Sequence, residues 1–205
     1  MSNDSYQRLR KAVARHSAYF QATASGLEIE FLRRLFTEEE AEIYLNLTGD
    51  LETAERIAER AGQDPEMVAT TLERMAKKGL AFPKRKGDSR YYAAPPFAHG
   101  ILEHQVHTID RELAQIYEDY MWAEKLPEVS EDAESAELSV PLRSLPVKAP
   151  VAISRPVAPY EDVKELIKKQ DRIALTRCFC AVQQQLLGST CDQPLEVCML
   201  SLIHI

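Results

Sequence analysis

The chain has 205 residues, 45% of them apolar, and a formal net charge of −7. This length suffices for one or two modest hydrophobic cores, and no run of about 18 apolar residues predicts a membrane span. The acidic balance argues against wholesale attraction to nucleic acid, although a local basic patch can still bind phosphate. The first eleven residues are polar and charged, so no secretory signal is predicted and a cytoplasmic protein is expected.

The first part of the chain shows mainly helical patterns, beginning with a helical extension over residues 1–36. Thr37 and Glu40 have the spacing of a capping box, in which each side chain accepts from the other residue's backbone amide. Apolar residues follow at helical spacing. A helix is therefore predicted from near Glu38 to the turn at Gly49.

Two more helices follow at short intervals. Thr53 is a suitable N-cap for the first of them, and Gly62 ends it. Asp64 supplies an N-cap before a proline at the first helical position, and Gly79 closes this third helix. Three short helices joined by tight turns are therefore predicted.

A two-stranded ribbon is predicted directly after the third helix. Its strands cover residues 80–82 and 90–93, and residues 84–88 form a charged turn around a glycine. Helices followed by such a ribbon have the element order of a winged helix, which we assign to residues 37–96. The fold class expected is mainly α with a small β-ribbon.

The ribbon carries the basic residues that could contact nucleic-acid phosphates, namely Lys84, Arg85, Lys86 and Arg90. Residues 37–100 nevertheless hold nine basic and twelve acidic side chains, a net charge of −3 that would repel duplex DNA away from the ribbon. The predicted solvent face of the third helix is also mixed in charge. A protein-docking role is therefore favoured, and DNA binding stays open.

A single long helix is predicted over residues 97–124, within a segment of residues 97–125. Its apolar side chains recur at alternating intervals of four and three, which is typical of a coiled-coil seam. The seam consists of Leu102, Val106, Ile109, Leu113, Ile116 and Tyr120. It could cover the helix's own domain or, as is slightly favoured, join two copies of the chain in a homodimer.

Residues 126–159 hold six of the eleven prolines and an acidic run, so they cannot be helical throughout. We interpret them as a linker with one or two edge strands. This linker separates the N-terminal half from a cysteine-rich segment over residues 160–199.

All four cysteines of the chain lie within 21 positions of that segment, in the spacing C-x-C-x10-C-x6-C. They are Cys178, Cys180, Cys191 and Cys198. Four thiolates from one stretch can supply every ligand of a zinc ion or of an iron–sulfur cluster. Zinc sites usually separate paired cysteines by two to four residues, so the C-x-C pair leans towards a cluster. Basic residues before the pair would favour thiolate over thiol.

Two other interpretations of the cysteines stay open. The even count is compatible with two disulfides, which the expected reducing compartment disfavours. The cysteines could also be four unconnected buried thiols. The clustering of all four favours metal or cluster binding over both.

With these features in place, the chain resembles a family of iron–sulfur proteins from anaerobes that set a winged-helix domain before ferredoxin-type 4Fe–4S segments. The resemblance extends from about Ser25 to Cys198. Its most specific parts are Pro159-Tyr-Glu-Asp162 and the cysteine segment. It implies a 4Fe–4S cluster held by the four cysteines, with Arg177 and backbone amides near Gly188 tuning the potential.

The chain departs from the family pattern in two ways. The family usually has a basic residue after the C-x-C pair, where this chain has Ala181. The family also continues into further ferredoxin motifs, whereas residues 200–205 look like a translated adapter. We therefore expect a fragment with a non-native tail.

No phosphate-binding glycine loop, nucleophile elbow or HExxH motif is found in the sequence, so no enzyme is predicted. The function expected is electron transfer with a redox partner protein, by an iron–sulfur protein that has a winged-helix docking module. A redox-responsive winged-helix transcription regulator and a structural four-cysteine zinc protein are the alternatives.

Overall fold

The computed structural model describes residues 3–17, 20–126, 164–165, 167–170, 173–189 and 194–201. Within them the chain is mainly helical, with two short antiparallel ribbons. Helices α1 to α8 are Asn3–Arg15, Leu27–Leu35, Glu38–Tyr44, Ala54–Ala61, Pro65–Lys77, Leu102–His104, Arg111–Trp122 and Phe179–Leu186. Strands β1 to β4 are Phe82–Lys86, Ser89–Ala93, Ile173–Thr176 and Cys198–Ser201. None of the described helices is long and apolar enough to cross a membrane.

Local capping signals set the starts of α3 and α5 and the ends of α4 and α5, as predicted. In contrast, α3 ends at Tyr44 and not at the predicted Gly49 turn, and Thr53 precedes α4 without a side-chain cap hydrogen bond. The Thr37 hydroxyl accepts from the Glu40 amide over 3.2 Å, and the Glu40 carboxylate accepts from the Thr37 amide over 2.9 Å. Asp64 caps α5 by accepting from two backbone amides. Gly62 and Gly79 adopt the left-handed conformation after α4 and α5, which glycine does without strain. The capping box and both glycine stops are confirmed.

Glu40 also joins α3 to α5. Its fully buried carboxylate accepts from Arg74 Nε over 3.0 Å and from Lys78 Nζ over 2.6 Å. Burial by itself would raise the pKa of Glu40, but hydrogen bonds from Lys78, the Thr37 amide and Arg74 together outweigh it and hold the pKa below its ordinary value. Arg74 is thereby tied to α3, so α5 offers less positive charge to a partner than the sequence predicts.

The ribbon of β1 and β2 turns more tightly than predicted. Only Gly87 and Asp88 separate the two strands, so residues 84–86 lie in β1 and not in the turn. An isolated antiparallel bridge joins Glu52, in the segment before α4, to Tyr92 of β2. The Glu52 amide donates to the Tyr92 carbonyl oxygen over 2.9 Å, and the Tyr92 amide donates to the Glu52 carbonyl oxygen over 2.7 Å.

The single helix predicted over residues 97–124 is wrong. The backbone bends at His99, whose φ of 60° is left-handed, and the helical turns after it stop before α7. The Asp110 carboxylate accepts from the Leu113 amide over 2.8 Å, so Asp110 is the N-cap of a new helix. An N-cap has non-helical backbone angles, which explains why one helix cannot run through this position.

The predicted dimer seam faces the inside of this chain. Its side chains pack in the core and are at most 7% exposed, apart from Ile109, which is half-buried. The buried members are Leu102, Val106, Leu113, Ile116 and Tyr120. A homodimer through these residues would require the core to open, so the expectation of a seam between two copies is corrected.

One cluster of buried apolar side chains joins α1 to α7 with α8 in the described residues. Aromatic rings run through it: Phe20 and Phe97 lie 4.3 Å apart between centroids, and Phe31 lies 6.2 Å from Tyr117. Tyr117 in turn contacts Phe179 of α8. The helix that carries the cysteine pair therefore shares its core with the N-terminal helices.

Glu40→Gln tests the buried carboxylate. The variant keeps the shape of the side chain but not its charge, so Arg74 and Lys78 lose their anionic partner. The free energy of unfolding at neutral pH should fall by about 1–3 kcal/mol. Folding lowers the pKa of Glu40 from its ordinary value of 4.5. The ionised carboxylate therefore stabilises the wild type above pH 4.5, and this stabilisation is lost as the pH falls further.

Chemical denaturation at neutral and acidic pH measures both effects. The difference between the wild type and Glu40→Gln should shrink in acid. Glu42→Gln, at a partly exposed position of the same helix, is the matched control and should cost much less. If the wild type and Glu40→Gln differed by the same free energy of unfolding at both pH values, the stabilising role of the Glu40 charge would be contradicted.

Candidate metal centre

The ribbon of β3 and β4 brings two parts of the cysteine segment together. Thr176, at the end of β3, pairs with Cys198, at the start of β4. Just beyond this pair, the Cys178 amide donates to the Leu195 carbonyl oxygen over 2.8 Å. Cys178 and Cys198 are distant in sequence but lie at the same end of one ribbon.

The C-x-C pair lies on either side of a buried aromatic ring. Cys178 is the N-cap of α8, and Cys180 is in its first turn. Phe179, between them, is 3% exposed and meets the Tyr117 ring edge-on, with centroids 5.4 Å apart and planes at 85°. Val182, one turn later, is also buried. The ring anchors the turn to α7 and leaves Cys180 exposed.

Polar contacts extend this docking along α7. Gln183 Nε2 donates to Glu118 Oε2 over 2.7 Å and to the Ala114 carbonyl oxygen over 3.4 Å. Gln184 Nε2 donates to the same Glu118 oxygen over 2.9 Å. Gln183 is 2% exposed, so its amide is a buried polar group whose hydrogen bonds offset the loss of water.

The described cysteines Cys178, Cys180 and Cys198 are free thiols. Partial burial raises the pKa of the Cys180 thiol, and Cys178 and the Glu103 carboxylate raise it further. The prediction that nearby basic residues favour the thiolate is therefore wrong for Cys180. A bound metal would reverse the balance, because coordination deprotonates a thiol.

Three of the four predicted ligands lie in the described residues, and Cys191 lies outside them. Among the residues that the structure describes, no three His, Cys, Asp or Glu side chains are grouped closely enough to hold a metal ion. Cys178 and Cys198 lie at one end of the β3–β4 ribbon, and Cys180 follows Cys178 in the first turn of α8. The described thiols therefore do not form a metal site by themselves, although thiolate sulfur is a donor for zinc and for iron–sulfur clusters. Within the predicted tail, Leu200 and Ser201 belong to β4.

Gly188, near which amides were expected to tune the potential, follows the end of α8. The Gly188 amide donates to the Gln185 carbonyl oxygen over 3.1 Å, at the end of α8 opposite the cysteine pair. It is therefore already engaged and does not face the cysteines. The charges that raise the pKa of Cys180 come from Cys178 and then from the Glu103 carboxylate. The role expected of Arg177 at a cluster stays a prediction.

The basic residues predicted to contact phosphate lie on two faces of the β1–β2 ribbon. Arg90 pairs with Glu73 of α5 and lies opposite Arg85 in the strand register, so these two arginines share the face towards α5. Lys84 and Lys86 alternate with Arg85 and lie on the other face. The four side chains therefore do not form one patch.

The residues of α7 that hold the cysteine helix were not found from the sequence. Tyr117 and Glu118 are not part of the predicted apolar seam, and nothing local in the sequence links them to α8. The one available signal was Phe179, since a large apolar residue between two candidate ligands needs a buried partner.

Known proteins do not supply a family for this chain. No model of a protein family, no curated protein and no solved structure matches it. Any role for the cysteines and for the ribbon must therefore be argued from the chemistry of their own residues.

The raised pKa of Cys180 predicts a shifted pH profile for its alkylation. In metal-free protein, labelling by iodoacetamide should keep accelerating above the ordinary thiol value of 9.0, because the thiolate forms late. Glu103→Gln removes the nearby carboxylate and should move the profile to lower pH. Glu112→Gln, whose carboxylate pairs with Arg34, should leave it unchanged.

Mass spectrometry of the peptide containing Cys180 gives the rate at each pH. A Cys180 profile that lies at or below that of free cysteine would refute the raised pKa. The same result for Glu103→Gln and Glu112→Gln would rule out the role of Glu103.

Proposed function

We propose that the chain is a 4Fe–4S electron-transfer protein whose cluster is held by Cys178, Cys180, Cys191 and Cys198. The observation that carries the proposal is the β3–β4 pairing, which brings Cys198 beside the start of the C-x-C turn. Cys191 supplies the fourth sulfur in this proposal. When bound, such a cluster supplies a one-electron redox couple.

The surroundings of the cysteines suit electron exchange with a partner. Cys180 is exposed, so a cluster bound there would lie near the surface, within reach of a docked protein. The Glu103 carboxylate adds negative charge beside Cys180, and negative charge near a cluster disfavours its reduction. Glu103 would therefore lower the reduction potential.

The partner would dock on a winged-helix module built from α3, α4, α5 and the β1–β2 ribbon. Support comes from the order of these elements and from the Glu52–Tyr92 bridge, which resembles the short third strand of a winged helix. The net charge of −3 over residues 37–100 favours a protein partner over duplex DNA.

A redox-responsive transcription regulator is the second candidate. It is favoured by Lys84 and Lys86, which lie on the same face of the ribbon as Tyr91. The Lys86 Nζ lies 5.3 Å from the centre of the Tyr91 ring. Such a face could contact a phosphate backbone. Arg90 would contribute less, because Glu73 already neutralises it.

Reconstitution tests the cofactor. Protein prepared anaerobically with iron and sulfide should be brown, with broad absorption near roughly 400 nm from charge transfer between thiolate and iron. Iron and acid-labile sulfide should be present together, and replacing Cys178 and Cys198 by serine should abolish the colour. A colourless wild type with stoichiometric zinc and no sulfide would instead support the structural zinc protein.

Charge reversal on β1 separates docking from DNA binding. We expect the wild type to form no specific sub-micromolar complex with DNA at physiological salt, since residues 37–100 are net acidic. Fluorescence anisotropy with labelled duplexes measures this. The variant Lys84→Glu, Arg85→Glu, Lys86→Glu should then behave like the wild type towards DNA.

Arg111→Glu, a reversal at an exposed position outside the ribbon, is the control. A tight, salt-sensitive complex of the wild type that is lost in the triple variant but kept in Arg111→Glu would establish the regulator instead.

A further inference from the structure

A cleft of about 490 Å³ lies where α4, α5 and the β1–β2 ribbon meet. This volume is typical of sites that hold a small ligand or a side chain of a partner. The small residues Ala54 and Ala69 line part of the cleft and leave its space open. Its charged side chains are three carboxylates and one guanidinium, those of Glu55, Glu73, Asp88 and Arg90.

Glu73 of α5 offers a hydrogen-bond acceptor to this cleft. Its Oε1 accepts from the Tyr92 hydroxyl over 2.5 Å and from Arg90. Within the part of the chain that the structure describes, Oε2 has no partner, and the side chain is 35% exposed. Arg90, the cation of the lining, is thus already paired, while one carboxylate oxygen can still accept from a bound group.

The charges of the cleft disfavour an anion. The N-terminus of α4 opens onto it, but Glu55 in the first turn already accepts from its own amide and from the Thr53 hydroxyl, which lowers the pKa of Glu55. Hydrogen bonds from Tyr92 and Arg90 hold the pKa of Glu73 below its ordinary value. Both carboxylates are therefore ionised at neutral pH, and the cleft attracts a cation.

We propose that this cleft is the docking site for an arginine side chain of the partner protein. The guanidinium donates to Glu73 Oε2, and the exposed carboxylates of Glu55 and Asp88 add negative charge at the rim. The aliphatic part of the arginine lies against Ala54 and Ala69. The inference rests on the docking module of the proposed function, because it specifies which chemistry the partner brings to it.

Titration of the full chain with a short peptide tests the site. The probe has one central arginine between glycines and serines, and its amino and carboxyl ends are blocked. In ¹H–¹⁵N spectra at physiological salt, the amide signals of Glu55 and Ser89, on two sides of the cleft, should move and saturate. The same peptide with citrulline, which keeps the shape of arginine without its charge, should bind at least about fivefold more weakly.

Two variants change the cleft in different ways. Glu73→Gln removes the central charge, and Ala69→Leu fills the space without changing any charge. Each should weaken binding of the arginine peptide by about fivefold or more, since a charged hydrogen bond or its geometry is lost. Glu112→Gln is the matched control, because it also removes a carboxylate that pairs with an arginine, Arg34, but lies outside the cleft. It should bind within about twofold of the wild type.

Far-UV circular dichroism checks that each variant is folded, and Glu55→Gln replaces Ala69→Leu if the added bulk prevents folding. Equal binding of the arginine and citrulline peptides would overturn the inference. So would an equal loss in Glu73→Gln and Glu112→Gln, which indicates general attraction to an acidic chain. Inorganic phosphate that moves the cleft signals when the arginine peptide does not would show an anion site instead.

These titrations need no cluster, so they fail independently of the proposed electron transfer. A chain that takes up a cluster but does not bind the arginine peptide would contradict the docking cleft alone. A chain that binds the peptide but takes up no cluster on reconstitution would contradict the proposed cofactor and leave the cleft supported.

Discussion

The contact between Phe179 and Tyr117 decides where the cysteine pair lies. Phe179 is the single residue between Cys178 and Cys180, so a buried ring at this position holds both cysteines within one residue of the core. The start of α8 then directs Cys180 outwards, since successive residues of a helix point about 100° apart. A cofactor bound there would be joined directly to the packing of α7.

Carboxylates do much of the organising in this acidic chain. Glu40 holds α3 on α5 through Arg74 and Lys78, and Glu118 holds α8 on α7 through two glutamine amides. Glu103 instead acts on the thiol of Cys180 through its charge. The carboxylates of Glu40 and Glu118 are already hydrogen-bonded to basic or amide side chains of the same chain. The net charge of the chain is therefore a poor guide to the charge that its surface presents to a partner.

The ribbon illustrates the same point for positive charge. Its basic side chains count as one cluster in the sequence, but the pleat divides them between two faces. Glu73 then neutralises Arg90 on the face towards α5. A partner that meets the other face would meet mainly Lys84 and Lys86, which is a modest charge for duplex DNA and sufficient for an acidic protein patch.

The sequence by itself determined the capping of α3 and α5 and the turns at Gly62 and Gly79, because those signals act within four residues of each other. It also singled out the cysteines. Only the tertiary structure decided that the heptad pattern after residue 97 serves the chain's own core, since Asp110 restarts the helix and folds it back. The hold of α7 on the cysteine helix likewise joins residues more than 60 positions apart, and no local pattern encodes such a contact.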